Sequence, residues 1–218
     1  IISVTTFNST SASFTWEPGG SESAWQYVYA ESTVTDPTTL TANIVNVTNN
    51  PTAAITGLNP ATSYNVWIRT KCGTNVFGNW PQNPLMITTT CAPVTEFSQN
   101  FDSSPTGTTS VMPTCWTKFG TTGTTYVTTG SSTPNSAPNR LYLNASATTP
   151  TTAIAVLPPV SNLQAETHRL KFKAYASTAG KEIEIGYYEN AGMLDSFTLL
   201  QSIPLPSTTQ TTTEELIY

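Results

Sequence analysis

The sequence predicts an all-β chain arranged as two successive β-sandwiches. Three observations carry that prediction. Apolar and polar residues alternate over short runs, and no stretch shows helical spacing. Clusters of Gly, Pro and Asn punctuate those runs at intervals suited to tight turns. Charged residues make up only 10% of the chain while Thr is abundant, and a β-branched residue of that kind suits a half-exposed pleat. At 218 residues the chain has room for two domains, each with a core of its own.

The first domain is expected over residues 1–90, with strands near 3–7, 11–16, 26–31, 41–45, 52–56, 63–71 and 85–90. Turns between them follow from Pro18-Gly19-Gly20, Asp36-Pro37, Asn49-Asn50-Pro51 and Gly57-Leu58-Asn59-Pro60. Gly57 and Asn59 tolerate positive φ, and Pro60 presets its own φ near −65°. Alternation then assigns Phe14, Trp16, Tyr27, Tyr29, Ile55, Leu58, Tyr64, Val66 and Ile68 to the core. Asn65, Trp67 and Arg69 take the opposite face. Tyr64 opens its strand just after the turn, where its ring can bury while its hydroxyl returns to the turn backbone, a tyrosine corner. Together with Trp16 on an earlier strand, this arrangement resembles a fibronectin type III domain. The resemblance implies a module that spaces, displays and binds rather than one that catalyses.

Cys91-Ala92-Pro93 marks the boundary to a second domain over residues 91–218, because Pro93 cannot continue a strand ladder. Strands are expected near 97–102, 140–144, 153–156, 168–176, 182–188 and 197–204, with a Thr/Gly/Ser-rich passage from 117 to 138. The segment from Glu214 to Tyr218 reads as the beginning of a further strand, which leaves the second domain looking incomplete. A Cys, the pair Phe101-Asp102 and then Cys115-Trp116 open this half. Leu170-Lys171-Phe172-Lys173-Ala174-Tyr175, Ile183-Glu184-Ile185-Gly186-Tyr187-Tyr188 and Ser196-Phe197-Thr198-Leu199-Leu200 follow. The set resembles a MAM-type jelly roll. The order of the two modules, in Thr-rich sequence, is similar to large surface proteins that Bacteroidetes export by the type IX system.

Composition excludes some function classes. A net charge of −5 offers nothing to neutralise a phosphate backbone, so nucleic acid is not an expected partner. No apolar run is long enough to span a membrane. No G-x-S-x-G, H-E-x-x-H or P-loop is present. His168, the single histidine, reads as a strand-end residue. Glu182 and Glu184 lie two apart on one strand face instead of across a cleft. The chain is therefore read as non-catalytic.

The binding candidates are three tryptophans. Trp67 has outward parity, and Trp25 and Trp80 fall in loop-like contexts, so each is a candidate for contact with a glycan or a protein ligand. Trp116 is expected in a core. Three cysteines leave at least one unpaired. The MAM resemblance implies a bridge between Cys91 and Cys115, with Cys72 left alone, and the parity of Cys72 with Val66 and Ile68 points it inward. The rival pair, Cys72 with Cys91, would have to join opposite ends of adjacent strands. The same resemblance implies Asp102 as a ligand of a structural Ca²⁺ or Na⁺. These readings together imply a secreted or cell-surface module pair of a larger protein, acting in adhesion or display beside neighbouring domains. The alternative is an accessory, substrate-binding role in a secreted peptidase or glycoside hydrolase.

Overall fold

The structure, a computed structural model, describes residues 2–108, 111–119, 123–129, 136, 138–145, 152–165, 167, 169–174, 176–188, 196–205 and 214–217. The chain divides into two compact units, Ile1–Ala92 and Pro93–Tyr218.

In the first unit, the hydrophobic alternation forms two antiparallel sheets. One contains β1 (Ile2–Phe7), β2 (Ser11–Trp16) and β5 (Thr52–Thr56), in the order β1-β2-β5. The other is built on β3 (Ala24–Glu31), which pairs with β4 (Ile44–Thr48) on one side and β6 (Ser63–Gly73) on the other. The start of β6 also pairs with β8 (Leu85–Thr88), and its far end with the short β7 (Val76–Phe77). Residues of both sheets form one core: Ala12, Phe14, Trp16, Trp25, Tyr27, Ile55, Leu58, Tyr64, Val66, Ile68 and Ile87, with Tyr29 partly buried against it. Aromatic rings meet edge-on inside it, Phe14 with Tyr27 at 5.4 Å and Trp16 with Trp25 at 5.6 Å between centroids, an arrangement the ring quadrupoles favour.

The tyrosine corner is formed. The Asn59 backbone N–H donates to the Tyr64 hydroxyl at 2.9 Å, and Gly57 takes the positive φ (72°) that the turn before it needs. Replacing Tyr64 by Phe keeps the buried ring and leaves that N–H without its acceptor. The expected cost is about 1 kcal/mol, a fall of several degrees in a thermal melt of the whole chain; an unchanged melt would show that the hydroxyl contributes nothing.

The fourth strand begins at Ile44 instead of residue 41 because the chain before it is used by a 3₁₀ turn, Pro37–Thr39. Asp36 caps that turn, accepting from the Thr38 backbone N–H at 2.9 Å and the Thr38 hydroxyl at 2.7 Å, and Asn43 adopts a φ of 58° just before the strand starts. Cys72, expected to point inward, is exposed, because the register of β6 shifts between Lys71 and Gly73 where β7 joins and the parity is lost.

The second unit is built from antiparallel ladders. β9 (Thr117–Phe119) pairs with β12 (Ile154–Val156), and β10 (Thr124–Thr129) with β11 (Asn139–Asn144). β13 (Arg169–Phe172) pairs with β16 (Glu214–Ile217), and β14 (Lys181–Tyr188) with β15 (Phe197–Leu205). The Thr-rich passage supplies β9 and β10, its Thr125 and Val127 being almost fully buried. Residues 97–102 form no strand. Phe101 sits at a φ of 68°, and the Asn100 carboxamide bonds to the Asp102 backbone and carboxylate, local bonds that compete with a ladder. Trp116, expected in a core, is partly buried and meets Phe101 and Phe97 at 5.5 and 6.1 Å. His168 lies outside the described residues.

A stacked arginine and its cleft

The three tryptophans have different environments. Trp25 is 5% exposed and Trp67 fully buried, so neither presents a face to a ligand. Trp25 belongs to β3, which starts two residues earlier than expected and gives it the inward parity of Tyr27. Trp67 does point away from the core between the sheets, with Arg69 and Asn65 on the same face. That face is covered by the protein itself. The Asn65 carboxamide donates to the Val34 and Ser32 carbonyls at 3.0 and 3.4 Å, drawing the loop after β3 across it. Trp80 is partly exposed and borders a cleft.

The cleft is assembled by the same outer face. Arg69 on β6 places its guanidinium carbon 4.2 Å from the ring centroid of Phe77 and 4.2 Å from that of Trp80, within cation–π range of both. Trp80 reaches this position because the loop from Gly78 leaves β7 with its first N–H bonded to the Thr70 carbonyl at 2.9 Å. Arg69 Nε and Nη2 donate to Gln26 Oε1 at 3.0 and 2.6 Å. Gln26 in turn donates to Asn46 Oδ1 at 3.3 Å. Gln26 stands opposite Asn46 on β4 and Arg69 on β6, so a polar ladder crosses three strands and locks the arginine. The opening beside it measures about 730 Å³, and Asp36, Thr38, Asn79 and Gln82 line it with Arg69 and Trp80.

Electrostatics are uneven in this cleft. Burial lowers the Arg69 pKa from its usual value, and a guanidinium stays protonated at neutral pH all the same. The Thr38 hydroxyl and then its backbone N–H hold the Asp36 carboxyl below the usual range, so it too is ionised. Among the described residues, Arg69 has no acceptor other than Gln26. Composition and motifs did not single out Arg69, Phe77 or Gln26. The available signal was parity: Arg69 shares the outward face of Trp67, and a Gly/Pro/Asn-rich loop carrying Trp80 follows.

The other expected site residues lie in or near the second unit. Cys91 and Cys115 are disulfide-bonded, with Cys72 the remaining thiol. The Asp102 carboxylate accepts from Asn100 Nδ2 at 2.9 Å and Ser136 Oγ at 3.1 Å. The backbone carbonyls of Phe101, Asp102 and Ser104 gather around Asn139 Nδ2 at 3.1–3.3 Å. Such oxygens are the chemistry calcium takes, but the Asn139 amide stands among them and an ion would have to displace it. Among the described residues no group of three His, Cys, Asp or Glu is placed to hold a metal. Glu182 and Glu184 are both exposed, and Glu182 accepts from Ser202 at 2.6 Å.

No family model matches the sequence and no curated protein matches it. Among solved structures, the FN5 domain of Drosophila Lar aligns over 42% of this chain and 94% of its own, at 18% identity and a TM-score of 0.33. The fn3 domain of human collagen alpha-1(XX) aligns over 44% of this chain and 86% of its own, at 13% identity and 0.34. A two-domain fibronectin type III segment from chicken tenascin aligns over 73% of this chain and 82% of its own, at 12% identity and 0.32. What defines the first unit is its own geometry: two antiparallel sheets, one of order β1-β2-β5 and the other centred on β3 and β6, with a tyrosine corner at Tyr64. It is a fibronectin type III-like β-sandwich.

Proposed function

We propose that this chain is a non-catalytic, extracellular module pair of a larger secreted bacterial surface protein, working in adhesion or display by contact with a glycan or protein ligand. The observation that carries the reading is the cleft at Trp80. The opening beside Trp80 presents a partly exposed indole together with an oriented guanidinium and several hydrogen-bonding side chains, the combination of apolar face and convergent polar groups that ligand sites use. The Cys91–Cys115 bond is of the kind that persists in an oxidising compartment, which supports a secreted setting. The binding reading needs no ion at Asp102.

The test is a screen of the intact chain against glycans and surface proteins, repeated with Trp80→Ala. Trp80 is partly exposed, so its loss is expected to abolish binding while the melting temperature moves little. Ligand binding that survives Trp80→Ala would place the contact elsewhere, and the absence of any ligand would leave a spacer.

A further inference from the structure

We infer that the Trp80 cleft takes an acidic sugar, a hexuronic acid residue of a glycan, with its carboxylate on Arg69. The inference rests on the binding role proposed for this cleft and adds the chemistry of what fills it.

Arg69 has five N–H donors in a planar fork. Gln26 Oε1 takes two of them, and the rest have no acceptor among the described residues. The cation is partly buried, burial lowers its pKa, and among the described residues no carboxylate forms an ion pair with it. The remaining donors of this partly buried guanidinium are open to the cleft, and an incoming carboxylate can take them in the geometry the fork is built for. The rings of Phe77 and Trp80 hold the guanidinium between them, so the fork is oriented before a ligand arrives and little entropy is lost on binding.

The remaining lining points to a sugar. Asp36 is ionised and can only accept hydrogen bonds, and Thr38, Asn79 and Gln82 add hydroxyl and carboxamide groups. A simple anion would answer Arg69 but bring no donor to the acceptor oxygens of Asp36. A uronic acid presents hydroxyls there and its carboxylate to Arg69. A cleft with Arg69 as its single basic lining residue, on a chain of net charge −5, also argues against a densely sulfated polyanion, which needs a basic surface.

The experiment is calorimetric titration of the intact chain with a trisaccharide of hexuronic acid and with the same trisaccharide after reduction of its carboxyls to alcohols. An acidic peptide of equal charge serves as a third probe. The acid is expected to bind about tenfold more tightly than its reduced form, and Arg69→Gln and Trp80→Ala are each expected to abolish that preference. Removing the guanidinium also removes the spacer between the two rings, so the unaltered protein supplies an independent readout: affinity for the acid falls as salt rises, while affinity for the reduced form does not. Equal affinity for acid and alcohol overturns the inference and leaves the cleft a neutral-glycan site, with the proposed role intact. Binding of the peptide alone overturns it in favour of a protein partner. No binding of any probe overturns it as well, and the broader screen then decides whether the proposed role survives.

Discussion

Replacing Trp67 by Ala is expected to destabilise the first unit by about 3–5 kcal/mol, a large fraction of the ~5–15 kcal/mol by which a domain is stable. The side chain is fully buried even though it points out of the sandwich. On the same face of β6, Asn65 ties down the loop after β3 through the Ser32 and Val34 carbonyls. Truncating Trp67 leaves a cavity where the buried ring stood. Trp67→Phe should cost far less, because the indole N–H finds no acceptor among the described residues and Phe keeps most of the apolar fill while discarding that unpaired donor. Urea titration of the two variants measures the difference. Similar midpoints for Trp67→Ala and the unaltered chain would show that the outer face is not a packed layer. The same physics governs how a binding screen is read. Trp67→Ala and Trp25→Ala would lose a ligand by unfolding the sandwich, and only Trp80 tests contact without testing stability.

The first unit was largely legible in the sequence, because its sheets alternate cleanly and its turns carry their own chemistry. Tyr64 after Gly57-Leu58-Asn59-Pro60 announced the corner, and eight of the nine residues assigned to the core are buried in it, with Tyr29 partly so. Parity also assigned Trp67 to the correct face. What parity cannot show is which chain segment covers that face, since the covering loop has no period and is held by the side chain of Asn65. Cys72 failed for a related reason: a register shift next to β7 breaks the alternation on which its assignment depended. The Arg69 site spans three strands and a loop, so its members are scattered from Gln26 to Trp80 and meet only through strand pairing. In the second unit, the Thr/Gly/Ser-rich passage from 117 to 138 carries few apolar residues to mark a strand. Thr125 and Val127 are buried on β10 nonetheless, as a β-branched residue can serve on a strand as well as an aliphatic one.

Loss of the Cys91–Cys115 bond is expected to cost about 3 kcal/mol, since it closes a loop of roughly two dozen residues and so restricts the unfolded chain. The experiment needs Cys72 removed first. That thiol is exposed and would exchange with the bridge on heating, whereas Cys72→Ser touches no core and should leave the melt unchanged within about 0.5 kcal/mol. Alkylation of the native chain should then label nothing in Cys72→Ser, and both remaining cysteines after unfolding and reduction. On that background, a reductant or the further change Cys115→Ser should lower the melting midpoint by similar amounts. Agreement between the two would place the stabilisation in the covalent link, because one treatment alters redox state and the other alters a side chain. A larger loss with Cys115→Ser would assign the excess to packing of Cys115, which adopts a φ of 66° beside Trp116. Identical melts with and without reductant would mean that the loop is already ordered in the unfolded ensemble, or that the bond's native strain offsets its entropy gain. Either result would deny the bridge its structural role.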